Sequence, residues 1–182
     1  MILEQLGLSF RVLPSGIDER GLPGETPERH AERLACDKAA EVVQRLLAQG
    51  EAPWVLAADT MVVVDDEVLG KPRDDADALR MLMLMSGRKH RVITGVALQR
   101  AKREGQSAVF RTEVGFRSLS RESAQAYVAS GEARDAAGSY AIQGLGSGLV
   151  TEIVGSYTNV VGLPAAETLE LLLRAGVLEA WP

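Results

Sequence analysis

One acidic residue stands at the centre of an otherwise apolar stretch. Residues 54–64 read WVLAADTMVVV, and Asp59 interrupts what is otherwise the pattern of a buried strand. A carboxylate in such surroundings is costly unless a cation, a hydrogen-bond donor or a metal meets it. The sequence therefore predicts a partner beside Asp59. A carboxylate placed in this way can bind a divalent cation or accept a proton from water.

Two lysines are candidates for that partner. A hairpin with its turn at residues 65–66 would place Lys71 roughly opposite position 59 or 60 on the preceding strand. This pair is either a structural ion pair or a carboxylate beside a lysine that neutralises phosphate. Lys38 lies on the apolar stripe of a predicted helix and could point toward the same place. The alternative for Lys38 is a side chain that runs along the edge of the stripe to solvent.

Other residues suggest the type of metal. Asp18 and Glu19 add carboxylates in a predicted loop. Oxygen ligands beside lysines, without a cluster of histidine and cysteine, suit Mg²⁺ rather than Zn²⁺. His30 and His90 are isolated and are expected to be solvent-facing or structural. The glycine-rich stretch 144–148 resembles a phosphate cradle only weakly, because it precedes a predicted strand rather than a helix.

Helices and strands that could position these residues alternate along the chain. Hydrophobic spacing, caps and glycine stops predict helices near 2–6, 26–50, 75–86, 120–130 and 164–176, and strands near 10–13, 54–64, 67–69, 91–99, 107–117, 149–154 and 157–161. Two predicted hairpins favour a mixed sheet, because a purely parallel sheet needs a crossover between strands. We expect an α/β fold with a mixed twisted sheet and flanking helices, in a single domain over residues 1–182.

Composition excludes several classes of protein. The 182 residues are 46% hydrophobic and 25% charged, as is typical of a soluble globular protein. The net charge of −5 argues against a nucleic-acid polymer as partner. The sequence shows neither a membrane span nor a signal peptide. Cys36 is the only cysteine, so we expect no intrachain disulfide, a packing role for Cys36 and a cytoplasmic location.

Several stretches, in order over nearly the whole chain, together resemble one family. They are EQLGLSF (4–10), IDE (17–19), ERLACDKA (32–39), LAADTMVV (56–63), EVLGKPRD (67–74), YVASGE (127–132), AGSYAIQGLG (137–146) and GSYTNVVGLP (155–164). The sequence resembles the Maf family of nucleotide pyrophosphatases, and within it the branch that hydrolyses dTTP and UTP. The resemblance implies a mixed α/β sheet in two lobes around a deep cleft, related to the inosine-triphosphate pyrophosphatases.

The resemblance also implies an activity and residue roles. Members of the family hydrolyse a nucleoside triphosphate to the monophosphate and pyrophosphate, and so limit unwanted nucleotides. By position, Asp59 matches the catalytic base and a metal ligand, and Glu19 matches a second metal ligand. Lys38 and Lys71 match lysines that neutralise the triphosphate. Gln143 matches a glutamine near the base or the phosphates.

Cofactor and partners follow from the same resemblance. The expected cofactor is a divalent cation, with Mg²⁺ first and Mn²⁺ second. The expected partner is the nucleoside triphosphate, with neither a nucleic acid nor a membrane, and a homodimer is common among relatives. The family opens with a strand and a phosphate loop of the form L-A-S-x-S-P-R-R, which has no counterpart here. Either the biological start lies upstream or activity is expected to be weak.

Two alternative functions remain. One is a non-catalytic nucleotide-binding protein involved in septum formation and the arrest of cell division. The other is a pyrophosphatase of the inosine-triphosphate type. Release of pyrophosphate from different nucleotides would distinguish all three, because only an enzyme releases it and each enzyme prefers its own base.

Overall fold

Helices and strands alternate along the chain. In the computed structural model, which describes residues 2–181, they are α1 (Ile2–Gln5), α2 (Pro27–Ala48), β1 (Val55–Val64), β2 (Glu67–Leu69), α3 (Asp75–Met85), β3 (Lys89–Gln99), β4 (Gln106–Phe116), α4 (Arg121–Ala129), β5 (Val150–Val154), α5 (Tyr157–Val161) and α6 (Ala165–Arg174). Short 3₁₀ helices lie at Glu132–Asp135, Ala137–Ser139 and Leu145–Leu149. No helix within residues 2–181 is both long and apolar enough to cross a membrane.

The strands form a five-stranded sheet in the order β2-β1-β3-β4-β5. Strands β1 and β2 are antiparallel, with Val62 opposite Leu69, so the turn lies at residues 65–66 as predicted. Strands β4 and β5 are also antiparallel, with Val114 opposite Ile153. Helices flank this sheet, and the predicted α/β class is confirmed.

Two compact units share these strands. The first unit takes in the chain up to Asp59, Thr94–Phe110 and the chain from Gly162 onward. The second takes in Thr60–Ile93 and Arg111–Val161. Strands β1, β3 and β4 each contribute residues to both units. The single domain and the cleft that the sequence analysis expects stay predictions.

In the first unit, the long helix α2 packs closely against the strands. Its start follows the predicted signals, since the Thr26 hydroxyl accepts a hydrogen bond from the backbone N–H of Arg29 and a proline follows the cap. Ala35 and Ala39 pack against Ala97 of β3. Cys36, Val55 and Ala57 surround this cluster of small side chains, so Cys36 has the predicted packing role.

Gly95 is where α2 and β3 come closest together. A Cβ atom on Gly95 would lie 2.3 Å from the carbonyl oxygen of Ala31 and 2.7 Å from the backbone nitrogen of Glu32. No side chain fits at that distance, so the glycine allows the helix backbone to lie directly on the strand.

In the second unit, the core lies between the strands and the helices α3 and α4. Its buried side chains include Leu82 and Met85 of α3, Tyr127 and Val128 of α4, and Val62 of β1. The buried core also holds His90, whose ring packs edge-on against Phe116 and Tyr140. Of the two expectations for His90, solvent-facing or structural, the second is correct.

Two predicted strands are wrong. Residues 10–13 have no regular secondary structure, and Tyr157–Val161 forms α5 instead of a strand. The β-branched residues of 157–161 favour a strand, but Asn159 is fully buried and its amide donates to the carbonyl of Val92 and the hydroxyl of Thr112. The Ser156 hydroxyl also accepts from the backbone N–H of Asn159. These contacts outweigh the local preference.

Candidate active site

Lys38 and Asp59 form an ion pair in the first unit. The Lys38 ammonium nitrogen lies 2.6 Å from Oδ1 of Asp59. The two side chains are 20% and 11% exposed, so the pair is largely shielded from water. The Lys38 ammonium group is therefore the cationic partner that the sequence predicts for Asp59 in the apolar strand. The alternative for Lys38, a side chain that runs to solvent, does not hold.

The same ammonium group also contacts Glu19. The distance from the Lys38 nitrogen to Oε1 of Glu19 is 2.7 Å, and the Glu19 side chain is 60% exposed. Burial lowers the pKa of Lys38, but its hydrogen bonds to Asp59 and Glu19 outweigh burial and the pKa lies above its usual value. Lys38 therefore remains a cation that joins two carboxylates at neutral pH.

Side chains of α2 hold the loop that carries Glu19. The His30 ring nitrogen Nε2 lies 3.1 Å from the carbonyl oxygen of Glu19. Arg33 donates to the carbonyl of Arg20 at 3.1 Å and to the Glu25 carboxylate at 2.6 Å. The hydrogen bonds from Arg33 to the Glu25 carboxylate lower the pKa of Glu25 to about 2. One helix thus positions both Lys38 and the loop before it.

Lys71 lies in the second unit. Its ammonium nitrogen is 3.8 Å from Oδ1 of Asp135, and both side chains are exposed. Such a pair contributes little stability, so the lysine can change partners at small cost. The carbonyl of Gly70 accepts a hydrogen bond from the backbone N–H of Gly138 at 3.0 Å, which fixes the chain just before Lys71. The predicted approach of Lys71 to Asp59 stays a prediction.

Gln143 is also in the second unit, exposed in a turn before the third 3₁₀ helix. The backbone N–H groups of Leu145 and Gly146, which follow it, both donate to the carboxylate of Glu132 at 2.8 Å. The weak resemblance of this stretch to a phosphate cradle now has a different explanation. These two donors already hold an anion, and that anion is part of the protein.

A comparison with known families identifies the family of the chain. Residues 1–175 match a family model described as Maf-like protein. The chain belongs to the Maf family. Three relatives of this Maf chain, each named dTTP/UTP pyrophosphatase, match it over almost its whole length.

The relative from Anaeromyxobacter dehalogenans (strain 2CP-C) is 50% identical over 99% of this chain and 90% of its own length. The relative from Syntrophotalea carbinolica is 46% identical over 97% of this chain and 80% of its own length. The relative from Caulobacter vibrioides is 48% identical over 96% of this chain and 89% of its own length. The resemblance that the sequence motifs indicated is therefore confirmed.

The carboxylate oxygens of Asp59 and Glu19 in this Maf chain suit a weakly bound cation that prefers oxygen ligands. Asp59 and Glu19 converge on one cationic group, the Lys38 ammonium. In the described part of the chain, no group of three or more His, Cys, Asp or Glu side chains is arranged to hold a metal ion. Mg²⁺ commonly binds through one or two carboxylates together with substrate phosphates and water. Two carboxylates therefore suffice for such an ion once a polyphosphate is present.

Sequence reasoning missed two residues near Gln143 in this Maf chain. The Tyr127 hydroxyl donates to Glu132 at 2.7 Å and accepts from the backbone N–H of Ala141, and Glu132 accepts from the glycine-rich stretch 144–148. They occur in YVASGE, a stretch noted only for its family resemblance. Their spacing of five residues matches neither a helix face nor a strand face, so periodicity gives no signal.

Proposed function

We propose that this Maf protein hydrolyses nucleoside triphosphates, dTTP and UTP among them, to the monophosphate and pyrophosphate. The observation that carries the proposal is the single ammonium group of Lys38 that joins the carboxylates of Asp59 and Glu19. It occurs in a chain half identical to a relative named dTTP/UTP pyrophosphatase. Charged oxygen atoms and a lysine gathered in this way suit the binding and cleavage of a polyphosphate.

Asp59 is the proposed general base. Its carboxylate takes a proton from a water molecule while the water oxygen attacks the α-phosphorus. A new bond forms between that oxygen and phosphorus, and the bond from the α-phosphorus to the bridging oxygen breaks. Pyrophosphate leaves with the electron pair of the broken bond. The Asp59 side chain is largely buried, which limits the number of water molecules that can reach it. Its contact with the Lys38 ammonium group holds the carboxylate in a fixed position.

The lysines and Gln143 are the proposed substrate-binding residues. Lys38 already holds two carboxylates and can exchange one of them for a phosphate oxygen. The ion pair of Lys71 with Asp135 is long and exposed, so Lys71 can leave it at small cost to neutralise the developing charge of pyrophosphate. The Gln143 amide, with one donor and one acceptor side, is suited to the edge of the base.

Asp59 and Glu19 are the proposed ligands of a divalent cation, Mg²⁺ or Mn²⁺. When bound there, the cation supplies charge that screens the phosphate oxygens and lowers the barrier to attack. The two carboxylates would hold the cation, and their convergence on the positively charged Lys38 supports this assignment.

Pyrophosphate release tests the proposal. The protein is incubated separately with dTTP, UTP, CTP and ITP in the presence of Mg²⁺, and a second set contains a chelator instead. We expect rapid release from dTTP and UTP, and none with the chelator. Preference for ITP would favour an inosine-triphosphate type of enzyme. No release from any nucleotide would contradict the proposal and favour a non-catalytic role.

The setting is part of the proposal. A cytoplasmic location is proposed because the proposed substrate is a free nucleotide, and removal of unwanted nucleotides there would protect the nucleotide pool. We also propose that the chain acts as one domain over residues 1–182 and forms a homodimer, without a nucleic acid or membrane partner. Analytical ultracentrifugation at micromolar concentration measures the oligomeric state, and a monomer would contradict this part.

A further inference from the structure

The Glu132 carboxylate fastens the chain just after Gln143. Its Oε1 accepts from the backbone N–H of Leu145 and its Oε2 from the backbone N–H of Gly146, both at 2.8 Å. Hydrogen bonds from backbone N–H groups to an ionised carboxylate are shorter and stronger than those between neutral groups. Although burial raises the pKa of Glu132, its hydrogen bonds outweigh burial and the pKa lies below its usual value. The carboxylate is therefore ionised at neutral pH.

The Tyr127 hydroxyl fastens the chain just before Gln143. It donates to Oε2 of Glu132 at 2.7 Å and accepts from the backbone N–H of Ala141 at 3.1 Å. Tyr127 is itself buried in the face of α4 that belongs to the core. The backbone is thus held two residues before and two residues after Gln143, by side chains that contact each other.

The glycines of this segment fit the same two side chains. A Cβ on Gly144 would lie 1.8 Å from Oε1 of Glu132. A Cβ on Gly146 would lie 2.8 Å from the Tyr127 hydroxyl oxygen and 2.6 Å from the carbonyl oxygen of Ala141. Neither distance admits a side chain, so both glycines are needed for the backbone to reach Glu132 and Tyr127.

Gln143 is presented outward by this arrangement. Ile142 before it and Leu149 at the end of the segment are buried in the core of the second unit. Gln143 itself is exposed. The backbone hydrogen bonds on both sides fix the place and direction from which the Gln143 side chain extends, and a fixed origin favours accurate recognition of a ligand.

We propose that Glu132 and Tyr127 are positioning residues that hold Gln143 for recognition of the nucleotide base. This inference rests on the proposed hydrolysis of nucleoside triphosphates. Uracil and thymine offer a ring N–H donor beside a carbonyl acceptor, and the glutamine amide can pair with both. Cytosine offers the reverse pattern, an amino donor beside a ring nitrogen acceptor. On a mobile backbone the glutamine can shift to suit either base, whereas on a backbone fixed at residues 141, 145 and 146 it favours the base whose pattern fits that position.

The ratio of kcat/KM for UTP to kcat/KM for CTP tests this role. Glu132→Gln removes the charge that holds two N–H groups, and Tyr127→Phe removes the bridging hydroxyl. We expect each change to lower the UTP/CTP ratio about tenfold, of the order that a lost polar contact costs in discrimination. In a Gln143→Ala background the same changes should have little further effect on the ratio, because the residue that they position is gone.

A matched control separates this role from general damage. Glu122→Gln removes a carboxylate from the first turn of α4, the helix that carries Tyr127, and should leave the UTP/CTP ratio unchanged. Hydrogen exchange of the backbone in residues 141–149 should become faster in Glu132→Gln and Tyr127→Phe than in the wild type. Both measurements apply to folded protein, and Tyr127→Phe preserves the packing of the ring.

The outcomes distinguish this inference from the proposed function. If the wild type releases no pyrophosphate from any nucleotide, the proposed function fails and this inference fails with it. If the wild type prefers UTP and both variants keep that preference, only the positioning role is overturned. It is also overturned if Gln143→Ala leaves the ratio unchanged, or if the variants lower the ratio equally with and without Gln143.

Discussion

Lys38 couples the two candidate metal ligands at the scale of the residue. Its ammonium nitrogen lies within 2.7 Å of an oxygen atom of each carboxylate, Glu19 and Asp59. If these carboxylates bind a divalent cation as proposed, that cation would compete with the ammonium group for the same oxygen atoms. A triphosphate would relieve the competition, because it offers Lys38 another anion.

Removal of this competitor should therefore strengthen binding of a metal without nucleotide. We expect Lys38→Gln to bind Mn²⁺ about tenfold more tightly than the wild type, which corresponds to about 1.4 kcal/mol, because the competing positive charge is removed. Titration followed by electron paramagnetic resonance of free Mn²⁺ measures the affinity without turnover. Lys102→Gln, in an exposed turn, removes the same charge and should bind as the wild type does. Equal affinity in all three would disprove the competition.

At the residue scale, site residues could be predicted where a charged side chain occurs in an apolar sequence pattern. An acid in an apolar strand requires a partner such as a cation, and a lysine on an apolar stripe requires an anion. The sequence positions of Asp59 and Lys38 therefore predicted that each has a partner of opposite charge. Glu132 gave no such signal, because an acid in a polar loop is ordinary. Its partners are backbone N–H groups 13 and 14 residues later, and a sequence does not display those.

At the scale of the element, the position of Lys38 depends on the close approach of α2 to β3. Gly95→Ala would place a methyl group 2.3 Å from the carbonyl oxygen of Ala31, so the helix must shift. We expect the free energy of unfolding to fall by about 1–3 kcal/mol, as is usual for overpacking. Pyrophosphate release should fall too, since α2 carries Lys38. Urea denaturation measures the first effect and the enzymatic assay the second.

Gly16→Ala is the matched control for this change. A Cβ on Gly16 has no atom within 4 Å, so the free energy of unfolding should stay within about 0.5 kcal/mol of the wild type. If Gly95→Ala is as stable and as active as Gly16→Ala, the close contact does not position the site.

Elements were predictable where local signals agree with each other. The cap at Thr26, the following proline and the apolar spacing all indicate α2. At residues 157–161 the local preference for a strand is overruled by the buried Asn159 and its hydrogen bonds to β3 and β4. The segment 10–13 has a strand-like composition but no strand beside it in the described sheet. Tertiary contacts decided the first case, and the lack of a neighbouring strand in the described sheet decided the second.

At the scale of the whole molecule, buried His90 makes stability depend on pH. Burial lowers its pKa from the usual value near 6.5 to about 4. Between these values the unfolded chain binds a proton that the folded protein does not. The free energy of unfolding should therefore decrease as pH falls from about 6.5 to about 4, by about 3 kcal/mol in total. Urea denaturation at pH 7, 6, 5 and 4 measures the slope.

The variant His90→Phe should remove most of that slope. It keeps a ring against Phe116 and leaves the Tyr140 hydroxyl without its nitrogen partner, so we expect lower stability at pH 7 but a flatter dependence. Arginines lower the pKa of Glu25 from 4.5 and that of Asp77 from 3.8, each to about 2, so these two groups lose their contribution between those values and pH 2, mostly below the range in which His90 acts. A slope in His90→Phe equal to the wild type would assign the pH dependence to other groups.

The arrangement of the whole sheet was the least predictable feature. Hairpins follow from adjacent strands and a turn, and the β1–β2 register agrees with the prediction. The placement of β3 beside β1 joins residues far apart in the sequence. Each of the two units is also built from segments that are separated in the sequence. No local pattern encodes these pairings, because they depend on which apolar faces bury each other.

Asp59→Asn gives the most direct test of the central claim, that Asp59 activates water beside Lys38. Single-turnover release of pyrophosphate from dTTP and UTP is compared with the wild type, and nucleotide binding is measured by calorimetry. We predict a rate lower by about 10²–10⁴-fold, the usual contribution of a general base, with binding changed only slightly. A variant that keeps most of the wild-type rate would contradict the account.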